Sequence, residues 1–179
     1  TAVKSFGGLD IAFNNAGTLG EMAPTAEISL AGWRETMDIN LTSAFACARY
    51  QLPAMLERGG GSIVFTSTFV GHVLGFPGMA AYAAAKAGIV GLARVIAAEY
   101  GPQGIRANAM LVGGTDTPMG RIVTDTPEAQ AFVANLHALK RIARPDEIAR
   151  SALFLASDQA SFVTGSAFSV DGGVTITRT

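Results

Sequence analysis

The chain predicts an α/β fold, a doubly wound parallel sheet covered by helices on both faces in a three-layer αβα arrangement. Three observations carry this. Short apolar runs alternate with longer helix-like segments from end to end, the pattern of successive βαβ units. Ser62-Ile63-Val64-Phe65-Thr66 is apolar at adjacent positions, as a strand buried on both faces requires. Polar or glycine-bearing turns follow the strand-like runs (Asn14 to Gly17, Thr66 to Thr68, Val112 to Thr117), at the carboxyl ends where such sheets bind ligands.

In order, Leu9-Asp10-Ile11-Ala12-Phe13 reads as a short strand running into the turn Asn14-Asn15-Ala16-Gly17. Ser29 is the candidate N-cap of a helix from about Leu30 to Leu56, with Asn40 in its middle and Pro53 marking strain near its end. Gly59, Gly60 and Gly61 precede the Ser62–Thr66 strand. A helix of small residues around Tyr82 stops at Gly101-Pro102, and Ile105 to Val112 is the third strand. Thr126-Pro127-Glu128 is a cap-plus-proline start for a helix to about Leu139. Pro145-Asp146-Glu147 opens another to Ala156, and Ala167 to Val170 is a last strand before Asp171-Gly172-Gly173. The 179 residues suit one domain.

Composition narrows the function. The chain is 49% apolar, 15% charged and carries a net charge of −1, without the basic patch that nucleic acid needs. Lys86, Arg94 or glycines break the longest apolar stretches, so no membrane partner is expected. The first residues lack the apolar core of a signal peptide. Cys47, the single cysteine, lies among Phe45, Ala46 and Ala48 like a buried small residue. It has no disulfide partner, and a reducing cytoplasm is the expected location. His72 and His137 lack companion ligands at metal spacing, so no metal is expected and each reads as structural or pocket-lining.

Tyr82-Ala83-Ala84-Ala85-Lys86 carries the chemistry. Residues at i and i+4 share one helix face, so phenol and ammonium project into the same space. A lysine about 4 Å from a phenol contributes roughly 4 kcal/mol at an effective dielectric near 20, enough to lower its pKa by up to about three units. A phenol so tuned exchanges protons with an alcohol oxygen near neutral pH. A chance pair on a solvated helix is the competing reading. The surrounding run of small residues, Met79-Ala80-Ala81 through Ala87-Gly88-Ile89, argues against it, because a solvated helix carries more charge.

With these motifs in order, the chain resembles the short-chain dehydrogenase/reductase family along its whole length. Asn14-Asn15-Ala16-Gly17 matches the family's Asn-Asn-Ala-Gly turn, and Asn40 in Asp38-Ile39-Asn40-Leu41 its relay asparagine. Tyr82 and Lys86 match the catalytic tyrosine and the lysine that also grips the nicotinamide ribose. Asn108-Ala109 and Gly113 to Met119 match the loop receiving the nicotinamide carboxamide, and Asp171-Gly172-Gly173 the C-terminal signature. The resemblance implies a Rossmann-like sheet, NAD or NADP as cofactor, and hydride exchange with a small carbonyl or secondary alcohol. It assigns Asn40, Thr68, Tyr82 and Lys86 to catalysis. It assigns Asn15, Ala16, Gly17, Tyr82, Lys86, Val112, Gly113, Thr115 and Thr117 to the cofactor. Pairing of the Tyr82 helix and the Leu30 helix between subunits implies a homodimer or homotetramer. Residues 120–139 would form an apolar lid.

Two departures matter. The family's Ser-Ser before a two-residue gap and glycine is here Ser67-Thr68-Phe69-Val70-Gly71. Aligning on Gly71 puts Thr68 in the serine's place, with Ser67 the fallback. Valine at 112 replaces the usual proline, which restores an N–H and predicts a less rigid loop. The family's glycine-rich phosphate turn does not precede Asn14 in these residues, and the simplest expectation is an incomplete sequence whose open sheet edge lies at Leu9 to Phe13. The competing functions are a cofactor-free relative serving as an interaction or scaffold domain, and a sugar-nucleotide epimerase or dehydratase sharing Tyr-x-x-x-Lys. The Asn14 turn and the Asp171-Gly172-Gly173 ending argue against the latter.

Overall fold

A computed structural model describes residues 1–177. After a short helix α1 (Ala2–Phe6) come β1 (Ile11–Asn14), α2 (Leu30–Met37), α3 (Ser43–Arg58), β2 (Gly61–Thr68) and α4 (Ala80–Tyr100). Then follow β3 (Ile105–Val112), α5 (Pro118–Ile122), α6 (Pro127–Leu136), α7 (Pro145–Ala156) and β4 (Ala167–Val170). All four strands are parallel, in the order β1-β2-β3-β4.

Alternation along the strands feeds two cores. Ile63 and Phe65 of β2, with Ile105, Ala107, Ala109 and Leu111 of β3, pack with α3 and α4 residues such as Met55, Ile89 and Ile96. Val64 and Met110 point to the other face, against Leu155 and Ile148 of α7. The expected burial of β2 on both sides is thus observed. β1 is an outer strand, and Ile11 and Phe13 are half exposed there.

Helix starts follow the sequence signals. Ser29 Oγ accepts from the Gly32 N–H at 2.9 Å, and Thr126 Oγ1 from the Ala129 N–H at 3.1 Å, with Pro127 at the first helical position. Glu147 accepts from the Arg144 N–H at 2.9 Å and pairs with Arg141.

Four expectations are corrected. The helix expected over Leu30 to Leu56 is not continuous: a π-helical turn, Asp38–Thr42, separates α2 from α3. Helix α3 ends at Arg58 rather than at the expected Leu56, with Pro53 near its end as expected and Gly59 closing it in the left-handed conformation at φ 86°. Helix α6 stops at Leu136, because His137 turns to extended backbone. Cys47 is exposed on α3 rather than buried. Helix α4 is long and apolar enough, by length and composition, to cross a bilayer, but here it is the central core helix, burying Ala81, Ala85, Lys86, Ile89, Ala93 and Ile96.

Candidate active site

Three strand ends in register form the floor of the site. Thr68, Val112 and Val170, the last residues of β2, β3 and β4, stand opposite one another. Helix α4 follows β2 through a loop that bends back over its own start. Gly71 makes this possible: its φ is 82°, and a β-carbon there would come within 2.5 Å of the Ala83 carbonyl. The loop is thereby pressed against the first turn of α4, which brings Tyr82 beside Thr68.

The two hydroxyls that competed in the sequence are separated by their partners. Ser67 is buried and donates to the Lys86 main-chain carbonyl at 2.8 Å, facing the core. Thr68 donates to the Val112 carbonyl at 3.2 Å and stands next to the Tyr82 phenol.

The electrostatics of the pair differ from the sequence expectation. Burial pushes the Tyr82 phenol up to about 12, with the Thr68 hydroxyl opposing part of the rise. Burial likewise draws Lys86 down to about 8. The Lys86 ammonium lies 5.8 Å from the Tyr82 ring centre and donates to the Thr66 carbonyl at 2.8 Å. Its charge is directed at a strand carbonyl, so it does not overcome the desolvation of the phenol.

Asn40 is fully buried in the π-helical turn, a distortion that often marks functional positions. Its side chain donates to the Thr36 and Thr18 carbonyls, each at 2.9 Å, and accepts from the Thr18 N–H at 3.1 Å. It therefore fixes the turn after β1. In that turn a β-carbon on Gly17 would meet Asn40 Oδ1 at 2.8 Å and Lys86 Nζ at 3.2 Å. Asn15 accepts from the Thr66 hydroxyl at 2.8 Å, while Asn15 and Ala16 themselves are exposed. Gly17, Asn40, Lys86 and Thr66 thus converge, although 69 positions separate Gly17 from Lys86 (86 minus 17).

The Val112–Thr117 segment closes the opposite side, and it is not loose. The Gly113 N–H donates to the Val170 carbonyl at 3.1 Å, and the Gly114 N–H to His137 Nε2 at 3.0 Å. Ala143 brackets the loop, donating to the Gly114 carbonyl and accepting from the Asp116 N–H, both at 2.9 Å. Thr115 donates to the Gly113 carbonyl at 3.0 Å, and Thr117 caps α5 by accepting from the Gly120 N–H at 3.1 Å. Asp171 closes the neighbouring turn by accepting from the Gly173 and Thr175 N–H groups. His72 is exposed, whereas His137 is buried. No cluster of metal-ligating side chains occurs among the described residues.

These features fit the nicotinamide half of a dinucleotide site. Gly17 leaves its backbone open over Lys86. Among the described residues the ammonium has one hydrogen-bond acceptor, the Thr66 carbonyl, which leaves two of its three donors for sugar hydroxyls.

Comparison with known proteins agrees. Residues 1–175 match the family model described as enoyl-(acyl carrier protein) reductase. The chain is 44% identical over 174 residues to the cyclohexanol dehydrogenase of an Acinetobacter species, covering 97% of this chain and 67% of that protein. It is 47% identical over 175 residues to a 2,5-dichloro-2,5-cyclohexadiene-1,4-diol dehydrogenase of Sphingobium indicum, covering 97% and 70%. The crystal structure of gluconate 5-dehydrogenase from Burkholderia cenocepacia, in complex with NADP and tartrate, superposes with a TM-score of 0.93 at 30% identity, covering 99% of this chain and 69% of that one. The chain belongs to the short-chain dehydrogenase/reductase family. This short-chain dehydrogenase is accordingly a nicotinamide-dependent oxidoreductase of alcohols and carbonyl compounds. The site elements that sequence reasoning missed are the π-helical turn and the Thr66 anchor, neither of which carries a motif; His137, expected to be structural or pocket-lining, is buried and lines a cavity.

Proposed function

We propose that this enzyme interconverts a secondary alcohol on a carbocyclic ring and the corresponding ketone, with Tyr82 as the proton donor and acceptor. The observation that carries the reading is the meeting of Thr68, Tyr82 and Lys86 at one strand end, facing the Val112–Thr117 loop. The relatives named for cyclohexanol and a cyclohexadienediol support a ring substrate.

Bound NAD or NADP supplies the hydride chemistry, held by Asn15, Ala16, Gly17, Tyr82, Lys86, Val112, Gly113, Thr115 and Thr117. Thr68 orients the substrate oxygen with a hydroxyl already poised beside the phenol. Tyr82 is protonated at neutral pH because burial holds it at about 12, so its first competence is as an acid, delivering a proton to a carbonyl oxygen. Working as a base requires the Lys86 charge to turn from the Thr66 carbonyl toward the phenol. Asn40 holds the turn above Lys86, and a water held by it would link Lys86 to solvent. Residues 120–139 cover the substrate.

The same reading places the enzyme in the cytoplasm, takes residues 1–179 as about the C-terminal two-thirds of a single domain, and gives it no nucleic-acid or membrane partner and a homodimeric or homotetrameric state. An apolar groove of about 350 Å³ between α3 and α4, lined by Phe45, Leu56, Val95 and Tyr100, supports pairing with a second copy. The test follows nicotinamide absorbance with NAD or NADP and a panel of cyclohexanols against open-chain alcohols. Ring alcohols turned over better, with Tyr82→Phe inactive, are expected; equal turnover by Tyr82→Phe would reject the reading.

A further inference from the structure

His137 is 2% exposed, yet the proton chemistry above gives it no task. It lies just past α6, and both ring nitrogens are engaged. Nδ1 is 2.8 Å from the Val133 carbonyl oxygen, and Nε2 is 3.0 Å from the Gly114 main-chain nitrogen. A carbonyl only accepts and a main-chain N–H only donates, so the ring is neutral and carries its proton on Nδ1. Its neighbours are shaped around it. A β-carbon on Gly114 would come within 2.9 Å of the ring Cε1, and one on Gly113 within 2.9 Å of Nε2. Gly172, at φ 55°, would crowd Cδ2 at 3.2 Å. Beside the ring a cavity of about 240 Å³ opens, lined in part by Gly113, Gly114, Arg141 and Glu147. On this side the loop is held by the His137 bond to Gly114 and by the Ala143 bonds, with the imidazole and Val133 packed against the bare glycines.

We propose that His137 is a positioning residue: by accepting the Gly114 N–H it holds residues 113–117 in the conformation that receives the nicotinamide, and through Val133 it ties that conformation to α6. This rests on the reading of that loop as part of the cofactor site. The arrangement couples cover and cofactor site through one side chain. A shift of α6 that withdraws Val133 also pulls on the ring, and the ring on Gly114.

The test uses two replacements. Gln places an acceptor about where Nε2 lies, whereas Leu fills the volume and offers none. Cofactor affinity is read by titrating NADH and NADPH with nicotinamide fluorescence, and the hydrogen bond itself by amide exchange at Gly114. In His137→Leu, Gly114 exchange is expected to speed up, cofactor affinity to fall about tenfold, and kcat to change much less. His137→Gln is expected to restore both affinity and exchange to within about threefold. Should His137→Leu fail to fold, His137→Asn makes the same cut, because its shorter side chain reaches Val133 and not Gly114. Native affinity in these loss variants overturns the proposal, as does failure of Gln to rescue. If the native enzyme binds neither NADH nor NADPH, the assignment of the loop fails instead, and that outcome is recognised before any variant is made.

Discussion

The two walls of the site are built on different principles. Thr68, Tyr82 and Lys86 sit on β2 and α4, regular elements whose backbone bonds form together and whose outer neighbours are core. The opposite wall, Gly113 to Thr117, has no repeating structure. It is held by separate bonds from Val170, His137 and Ala143. A wall of the first kind yields only when its chemistry is removed or its packing is breached. One of the second kind can be released a bond at a time, which suits the ligand-receiving role proposed for that loop.

Removing the chemistry without touching the frame gives the largest expected effect. Tyr82→Phe should lower kcat/KM by about 10²–10⁴-fold while leaving the unfolding midpoint nearly unchanged, measured by steady-state assay and urea titration. The next concerns the charge inside the regular wall. Lys86 falls from its ordinary 10.5 to about 8 in the folded chain, so between these pH values the unfolded chain binds more protons. Stability should therefore rise with pH from about 8 to 10.5, by about 3 kcal/mol if the whole shift is expressed. Tyr82, raised from 10 to about 12, acts oppositely: stability falls as pH climbs above 10. Denaturant unfolding across this range should show the rise in the native protein and none in Lys86→Met.

Gly71→Ala breaches the frame itself. A β-carbon there meets a backbone carbonyl at 2.5 Å with φ at 82°, and a loss of about 2–3 kcal/mol is expected in equilibrium unfolding. The smallest effect should come from Thr68→Ser, which keeps the hydroxyl and removes one methyl. Activity on a small ring alcohol should stay within about threefold, with the gain, if any, on bulkier substrates. A loss above tenfold would mean that the threonine methyl itself shapes the site.

The same division explains what could be read from the sequence. Strands Ile105–Val112 and Ala167–Val170 and helix α7 begin and end where apolar runs and caps place them, because local pattern and tertiary burial agree there. The π-helical turn at Asp38–Thr42 leaves no such trace: Asn40 lies within an otherwise ordinary helical pattern, and its side chain is held by Thr36 one turn earlier and by Thr18 across the fold. The tyrosine–lysine spacing correctly brought the two side chains to one face. It said nothing of where the ammonium points, since that depends on a carbonyl of β2 twenty positions earlier. The loop after β3 looked loosened by Val112, yet its rigidity comes from His137 and Ala143, neither of which any nearby motif announces.

Lys86 has one more consequence. A lysine side chain that is about half neutral amine near pH 8 takes up a proton when oxygen atoms of a ligand gather around it, since each new acceptor favours the charged form. Ligand capture at this spot therefore draws hydrogen ions out of the medium. Calorimetric heats measured near pH 8 in buffers of different ionisation enthalpy should diverge in proportion, and the divergence should fade toward pH 6, where the side chain is already fully charged.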